Sequence, residues 1–348
     1  MTVRVNKSAF NIREKLSELE RPIGLKGNQL MGAETAQDAR DLVSAGRKNL
    51  IINGDFRISQ RGDYSSATSA SHSTYYLDRW KTDISGSTAT IQRQTVTLPD
   101  GTQAYSAKLA ASSSSVNAYL QLQQYVEIFP HMQGRTVTIS AWVRSNRQVR
   151  LRLEATNQNY DGLKSHSGNG NWEYLTQTLT LGTSLSVLKF GAIIWNSSGA
   201  TTGTSVGTNM SSGDYFEFAN YQVEFGKNAT EFEHRSYGEE LALCQRYFWI
   251  VANSRWLMGY KRHDSFIYFQ LDTPVPMRIS PTPTITSVGI LTNHQSQLGG
   301  AVQTTGTSVF EYRPDSGRGV LQISSTYTGT HVLIPSWEAG TIEFSAEF

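Results

Sequence analysis

The sequence predicts an all-β protein: an antiparallel two-sheet β-sandwich followed by a second, smaller C-terminal β domain, with a short helical N-terminal arm and a helix linking the two. Three observations carry this. From about residue 49 to residue 235, and again from 249 to 348, apolar and polar residues alternate in segment after segment, as half-buried strands do. Gly, Ser, Thr and Asn fill the intervals. The alternation breaks after Tyr237 and Gly238, where "EELALCQRYF" sets Leu241, Cys244 and Phe248 at helical spacing.

Residues 1–48 read as two short helices. Ser8 is a candidate N-cap for the first, with Ile12, Leu16 and Leu19 on one stripe and a stop at Pro22 and Gly24. The second opens at Thr35 with Asp38 three places on, carries Ala36, Ala39, Leu42 and Val43 inward, and ends at Gly46. Two such helices bury too little apolar area to stand alone, so a partner surface is expected for them. Residues 49–235 then run as sequential strands, among them "NLIINGDF", "TVTISAWVRS", "RQVRLRLEAT", "YLTQTLTL", "VLKFGAIIW" and "DYFEFANYQVEF". The linking helix is assigned to 236–248. The unit at 249–348 opens with "WLMGY" and "SFIYFQL" and closes on "TIEFSAEF", a final strand expected to be paired into a sheet.

A chain of 348 residues exceeds what one core usually organises, which agrees with two globular units plus an appendage. Charged residues make up 17% and the net charge is +2, leaving no electrostatic footprint for nucleic acid. The 16 Tyr, 14 Phe and 7 Trp among many Ser, Thr and Gly suit β-sandwiches and surfaces that bind sugars or stack together. The single cysteine, Cys244, excludes an internal disulfide framework and lies on the apolar stripe of the linking helix, where an inert buried thiol is expected. "MTVRVNKSAFNIREKL" holds no apolar core of a signal peptide, and no run is long enough to span a bilayer, so neither standard secretion nor membrane insertion is expected.

Strand parity supplies the candidate site. In "TVTISAWVR" Val137, Ile139, Ala141 and Val143 point one way, leaving Thr138, Ser140, Trp142 and Arg144 on the other. Likewise Gln121, Gln123, Tyr125 and Glu127 oppose Leu120, Leu122 and Val126, and Arg150, Arg152 and Glu154 oppose Val149, Leu151 and Leu153. If these strands are neighbours, Trp142, Tyr125, Arg144, Arg152, Gln123 and Glu154 form one patch of rings beside planar hydrogen-bonding groups. A sugar, with apolar C–H faces and a rim of hydroxyls, is bound by that combination. The competing reading is an ordinary solvated sheet, or a face covered by a sister subunit. No catalytic set is expected: GxSxG, HExxH and phosphate loops are absent, and Asp83, Glu127, Glu154 and Asp161 carry no mark of a paired acid and base. "RGD" at 61–63 and the sequons at Asn196, Asn209 and Asn228 are short chance matches, and the seven histidines show no metal-ligand spacing.

"GRKNLIINGDFRISQRG" followed by "YYLDRW" resembles the opening of the jelly-roll, carbohydrate-binding-module-like domains of tail fibres and other virion proteins of tailed bacteriophages. "YQVEFGKNATEFEHRSYGEELALCQRYF" is similar to the close of the same domain, and "VPMRISPTPTI" with "AGTIEFSAEF" to the β domain that follows it. "VNKSAFNIREKLSELERPIGLKGNQLM" resembles N-terminal segments of tail-fibre-like proteins. The resemblance implies a virion structural protein, assembled in the bacterial host cytoplasm. It would be a homo-oligomer, most simply a trimer, with the arm joining other virion proteins and a host-surface glycan bound without cleavage. Capsid decoration or a structural connector without ligand is the alternative, and a glycan-depolymerising tailspike a further one. Modules of this type often tie first and last strands through calcium, and Asn53, Asp55, Asp214 and Glu217 are the oxygen donors nearest those strands; "FAN" at 218–220 replaces the usual paired acids, so no metal and no cofactor are expected.

Overall fold

The computed structural model describes residues 48–155, 158–160, 165–195 and 210–251, and beyond them 259–263, 266–285, 290–293, 302–303, 308–313, 316–324, 335–337 and 342–348. The chain divides into two compact units, Met1–Lys48 and Asn49–Phe348. The two helices expected in the first fall outside the described residues.

Ten strands among the described residues build the sandwich: β1 (Thr68–Ala70), β2 (Tyr75–Leu77), β3 (Trp80–Thr97), β4 (Gln103–Tyr125), β5 (Thr136–Ser145), β6 (Arg150–Ala155), β7 (Gln158–Tyr160), β8 (Trp172–Thr180), β9 (Leu188–Trp195) and β10 (Tyr215–Phe225). All pairings are antiparallel, in the order β7-β6-β9-β4-β10-β5-β8, with β3 on β4 and with β1 and β2 on β3. Strands β3 and β4 run to 18 and 23 residues, long enough to serve two leaves. Residues 119–125 of β4 pair with β9, which carries β6 and β7, whereas 107–110 pair with β10, which carries β5 and β8. Register shifts between Ser85 and Ser87 and between Thr88 and Ala89 lie where the hairpin passes from one leaf to the other. The fold is the expected jelly-roll sandwich.

Alternation fills the space between the leaves. Val137, Ile139, Ala141 and Val143 of β5 share one apolar cluster with Leu120 and Leu122 of β4, Leu151 and Leu153 of β6, and Phe190, Ala192 and Ile194 of β9. At its centre the Trp80 ring lies 5.1 Å from Phe56, 5.2 Å from Phe218 and 5.4 Å from Tyr221, tilted or edge-on, the favoured aromatic geometry. The Tyr221 hydroxyl reaches from β10 to the other leaf and donates to the Gly191 carbonyl at 2.9 Å, so its polar end is satisfied inside the core.

"NLIINGDF", expected to open the run of strands, forms none. It is a buried irregular segment in which Asn53 and Phe56 adopt φ of 57° and 56°, values that interrupt an extended chain. Apart from the Leu50 amide and the Gly54 carbonyl, which bond the backbone of β10, side chains meet its backbone groups in place of a ladder. Asn49 Oδ1 accepts from the Ile51 and Val223 amides, Gln124 both accepts from and donates to the Ile52 backbone, and Asn53 Nδ2 donates to the Ile58 and Asp78 carbonyls. Gly54 sits so close to β10 that a Cβ there would run into the Tyr221 carbonyl, while its own carbonyl accepts from Tyr221 N at 2.8 Å.

The linking helix, α1, spans Tyr237–Gln245, with the Ser236 side chain capping it by accepting from Glu239 N at 3.2 Å and Glu239 and Glu240 complementing the dipole in the first turn. It ends three residues before the expected 248, because Phe248 already belongs to a strand. Its buried positions are Glu240 and Cys244, whereas Leu241 is half-buried. An ionic contact therefore occupies the place expected for a leucine: Glu240 accepts from Arg235 Nη1 at 3.3 and 3.2 Å and from Asn53 N.

Beyond α1 the chain adds β11 (Phe248–Val251), β12 (Gly259–His263), β13 (Phe266–Asp272), β14 (Thr282–Ile285), β15 (Ile290–Asn293), β16 (Val302–Gln303), β17 (Ser308–Arg313), β18 (Arg318–Ser324), β19 (Pro335–Trp337) and β20 (Ile342–Ser345). Among the described residues these form three sheets, β11-β20-β14, β12-β13-β18-β17 and β16-β15-β19, and none continues into the sandwich. A separate apolar cluster, including Trp249, Phe269, Met277, Leu321 and Phe344, packs the first two of these sheets together. The two cores meet at a polar joint. Arg79, 1% exposed, bonds Glu347 and the Tyr125 carbonyl while its guanidinium lies 3.5 Å from the Tyr247 ring centre, and Arg61 lies 3.7 Å over Phe248 and 3.2 Å from Glu347. The Arg61 of "RGD" is thus turned into the joint.

Gly54→Ala is expected to destabilise the fold by about 2–3 kcal/mol, since the added methyl meets rigid backbone; denaturant titration checks it. Burial holds the Cys244 thiol fully covered and its pKa well above the usual value. Native protein should resist a thiol reagent at mildly alkaline pH and react fully once unfolded, whereas rapid native labelling would show that α1 does not stay docked.

Candidate functional site

On β5 the residues that alternate with the core strand of Val137 to Val143 face outward, and the strands beside it decide what they meet. Trp142 stands opposite Tyr174 of β8 and Arg144 opposite Trp172. The Trp142 and Tyr174 rings are 5.2 Å apart at 53°, the Arg144 guanidinium lies 4.9 Å from the Trp172 ring centre, and Tyr174 is 40% exposed. On the other side Arg144 is paired in register with Glu217 of β10. Glu217 is fully buried, accepting from Arg144 Nε at 3.0 Å, Arg144 Nη2 at 2.5 Å and Ser106 Oγ at 2.5 Å. A guanidinium held by two such bonds is fixed in plane and direction.

The same face continues over β10 and β4 to β3 through Ala219, Ser106, Lys108, Gln92 and Gln94. Toward the β3 edge lies a groove of about 690 Å³, with Trp172 and Arg144 on one side and Gln92, Gln94, Arg93 and Tyr105 on the other. Burial pushes the Tyr174 phenol above its ordinary pKa, so it remains a neutral donor and acceptor.

The six residues singled out from the sequence do not converge. Trp142 and Arg144 lie on this face; Tyr125, Gln123, Arg152 and Glu154 lie on the outer face of the opposite leaf, across the core. β10 separates β5 from β4, and the 119–125 half of β4 belongs to the other leaf, so the strands assumed to be neighbours are not. On that second face Arg152 bonds Gln121 and Glu154, Lys189 Nζ reaches Glu154 at 2.7 Å, and Gln121 Nε2 donates to Gln123 at 2.6 Å. Gln121 and Gln123 are buried in these contacts, and the Tyr125 ring is stacked on Phe348 at 5.6 Å and 12°, a platform already occupied.

Trp172, Tyr174 and the partner role of Glu217 escaped the sequence reading. "NWEYLTQTLTL" carried the signal for the first two: Trp172, Tyr174, Thr176 and Thr178 share a parity opposed to Leu175 and Leu179. The carboxylates considered for catalysis have other partners. Asp83 accepts from the Tyr119 hydroxyl at 2.9 Å, with the phenol pushed up to about 12 by burial and that bond; Glu127 holds Arg246; and Glu154 holds Arg152 and Lys189. Asp161 falls outside the described residues. Of the oxygen donors considered for calcium, Asp55 pairs with Arg57, Asp214 with Arg147 and Glu217 with Arg144, while the Asn53 side chain bonds backbone. Among the described residues no three His, Cys, Asp or Glu side chains cluster as metal ligands, and no helix is long and apolar enough to cross a membrane.

No protein-family model matches the chain, and no curated protein matches it. Solved structures do. The enzymatically active domain of tailspike protein 4 of bacteriophage CBA120 aligns with 51% of this chain at 11% identity and a TM-score of 0.33, the match taking in 21% of that chain. A CBM4 carbohydrate-binding module aligns with 50% of this chain and 98% of its own length at 16% identity and a TM-score of 0.31. The module TmCBM61, in complex with β-1,4-galactotriose, aligns with 52% of this chain and all of its own at 11% identity and a TM-score of 0.29.

Proposed function

We propose that this chain is a virion protein of a tailed bacteriophage, a tail-fibre or spike-like adhesin that binds host-surface glycan without cleaving it. The observation that carries the binding role is the ring cluster of Trp142, Tyr174 and Trp172, outward on adjacent rungs of β5 and β8, with Arg144 fixed beside it by a fully buried Glu217. Placing large rings outside a filled core gives apolar surface that a pyranose can stack on, and the guanidinium and the Gln92 and Gln94 amides offer planar groups for its hydroxyls. Glu217 serves to hold Arg144; closed off from solvent by its donors, it is poorly placed to exchange protons with a glycosidic bond. The virion role rests on the resemblance of residues 46–62 and 221–248 to phage fibre domains.

Affinity per site of roughly −4 to −8 kcal/mol suffices, because several copies on one particle bind together. Calorimetric titration of the full chain with host surface polysaccharide should show Trp142→Ala and Tyr174→Ala each weakening binding roughly tenfold or more, with no reducing ends released by the parent protein. Unchanged affinity in both variants would leave the connector or decoration role instead. Mass measurement in solution is expected to give a homo-oligomer, most simply a trimer, and a stable monomer with the arm intact would contradict it.

A further inference from the structure

We infer that the glycan taken by this groove is acidic, its carboxylate read chiefly by Arg93; the inference rests on the glycan-binding role proposed for the same face. Arg93 lines the β3 side of the groove, its guanidinium 4.3 Å from the centre of the Tyr105 ring. Among the described residues it has no carboxylate partner, unlike Arg57, Arg147 and Arg235, each of which is paired. Lys108, on the same leaf beside Glu217, lies 4.3 Å from the Tyr215 ring centre and likewise has no carboxylate partner among the described residues. Both cations are held by aromatic faces, an arrangement that fixes a charge without neutralising it.

Arg144 adds to this field. Its Nε and Nη2 are committed to Glu217, which leaves Nη1 for a ligand in the groove it lines. Asp63 stands at the rim, where it accepts from Ser65, while Glu217 is fully buried and Glu224, farther along the face by Tyr174, is buried and bonded to Gln222 and Thr230. The lining of the groove thus holds two guanidiniums, Arg93 and Arg144, and one carboxylate, Asp63, with Lys108 on the neighbouring strand. Such an imbalance draws anions toward the groove. A planar guanidinium with no carboxylate partner among the described residues matches the two oxygens of a sugar carboxylate, a pairing stronger than a bond to a neutral hydroxyl. A neutral sugar would leave Arg93 partly desolvated beneath it with nothing to compensate.

The test is calorimetric titration of the full chain with oligosaccharides of polygalacturonate, hyaluronan and alginate, each beside its own methyl ester. At least one acid should bind roughly tenfold tighter than its ester, with the gap closing between about 50 mM and about 500 mM salt as screening sets in. In Arg93→Gln the ratio of acid to ester affinity should fall toward one, with Lys108→Gln lowering it in the same direction and unaltered melting temperatures showing both variants folded. Esters binding as tightly as acids would overturn the inference while leaving glycan binding standing. Binding of neither form overturns it as well, and the host polysaccharide titration then shows separately whether glycan binding itself survives.

Discussion

A buried guanidinium holds this protein together at the point where its parts would otherwise separate. Arg235, 7% exposed, donates to the Asn49 and Ile51 carbonyls at the start of the sandwich, to Glu233 beside it and to Glu240 on α1. A charge taken from water needs acceptors for its donors, and the two terminal nitrogens find theirs at residues 49 and 51 at one end of the sandwich and at 233 and 240 at the other. That constraint helps explain why residues 49–56 are no strand: apart from the Leu50 amide and the Gly54 carbonyl, which bond β10, their backbone groups meet an arginine, two glutamates and amide side chains. It also explains the burial of Glu240 on α1, since the helix must deliver a carboxylate to that position.

The joint to the C-terminal sheets follows from the same anchoring. With α1 fixed, Tyr247 and Phe248 arrive against Arg79 and Arg61, and Glu347 at the other end of the C-terminal unit closes both ion pairs. Within the C-terminal unit Arg278 holds the segment that carries Glu347, donating to the Ala346 and Glu347 carbonyls at 2.8 and 2.9 Å. Charge and rings do here what apolar contact does inside each core. Such a seam specifies one orientation, because each guanidinium has donors whose directions are set.

The face proposed to bind glycan is a by-product of how the core is filled. Once Val137, Ile139, Ala141 and Val143 point inward, β5 has no choice about Trp142 and Arg144, and β8 has none about Trp172 and Tyr174. What turns those outward residues into a site is register: Arg144 falls opposite Trp172 on one side and Glu217 on the other, so ring, cation and anion line up across three strands. A slip of one residue would send the rings into the core.

By itself the sequence determined which residues of each strand lie inside, because a pleat has a period of two and an apolar face must be covered. It determined the β class, the change of pattern at α1, and the outward placement of Trp142 and Arg144. It could not determine which strand lies beside which. Pairing β5 with β8 and β10, and sending the two halves of β4 to different leaves, depends on contacts far apart in the chain, and parity is blind to them. For that reason Tyr125, Gln123, Arg152 and Glu154 lie on the opposite face, and Glu217 proved to be the partner of Arg144. The irregular course of "NLIINGDF" was equally out of reach, since its alternation reads as a strand and only the side chains of Asn49, Asn53, Gln124 and Arg235, meeting in three dimensions, offer its backbone a better set of hydrogen bonds.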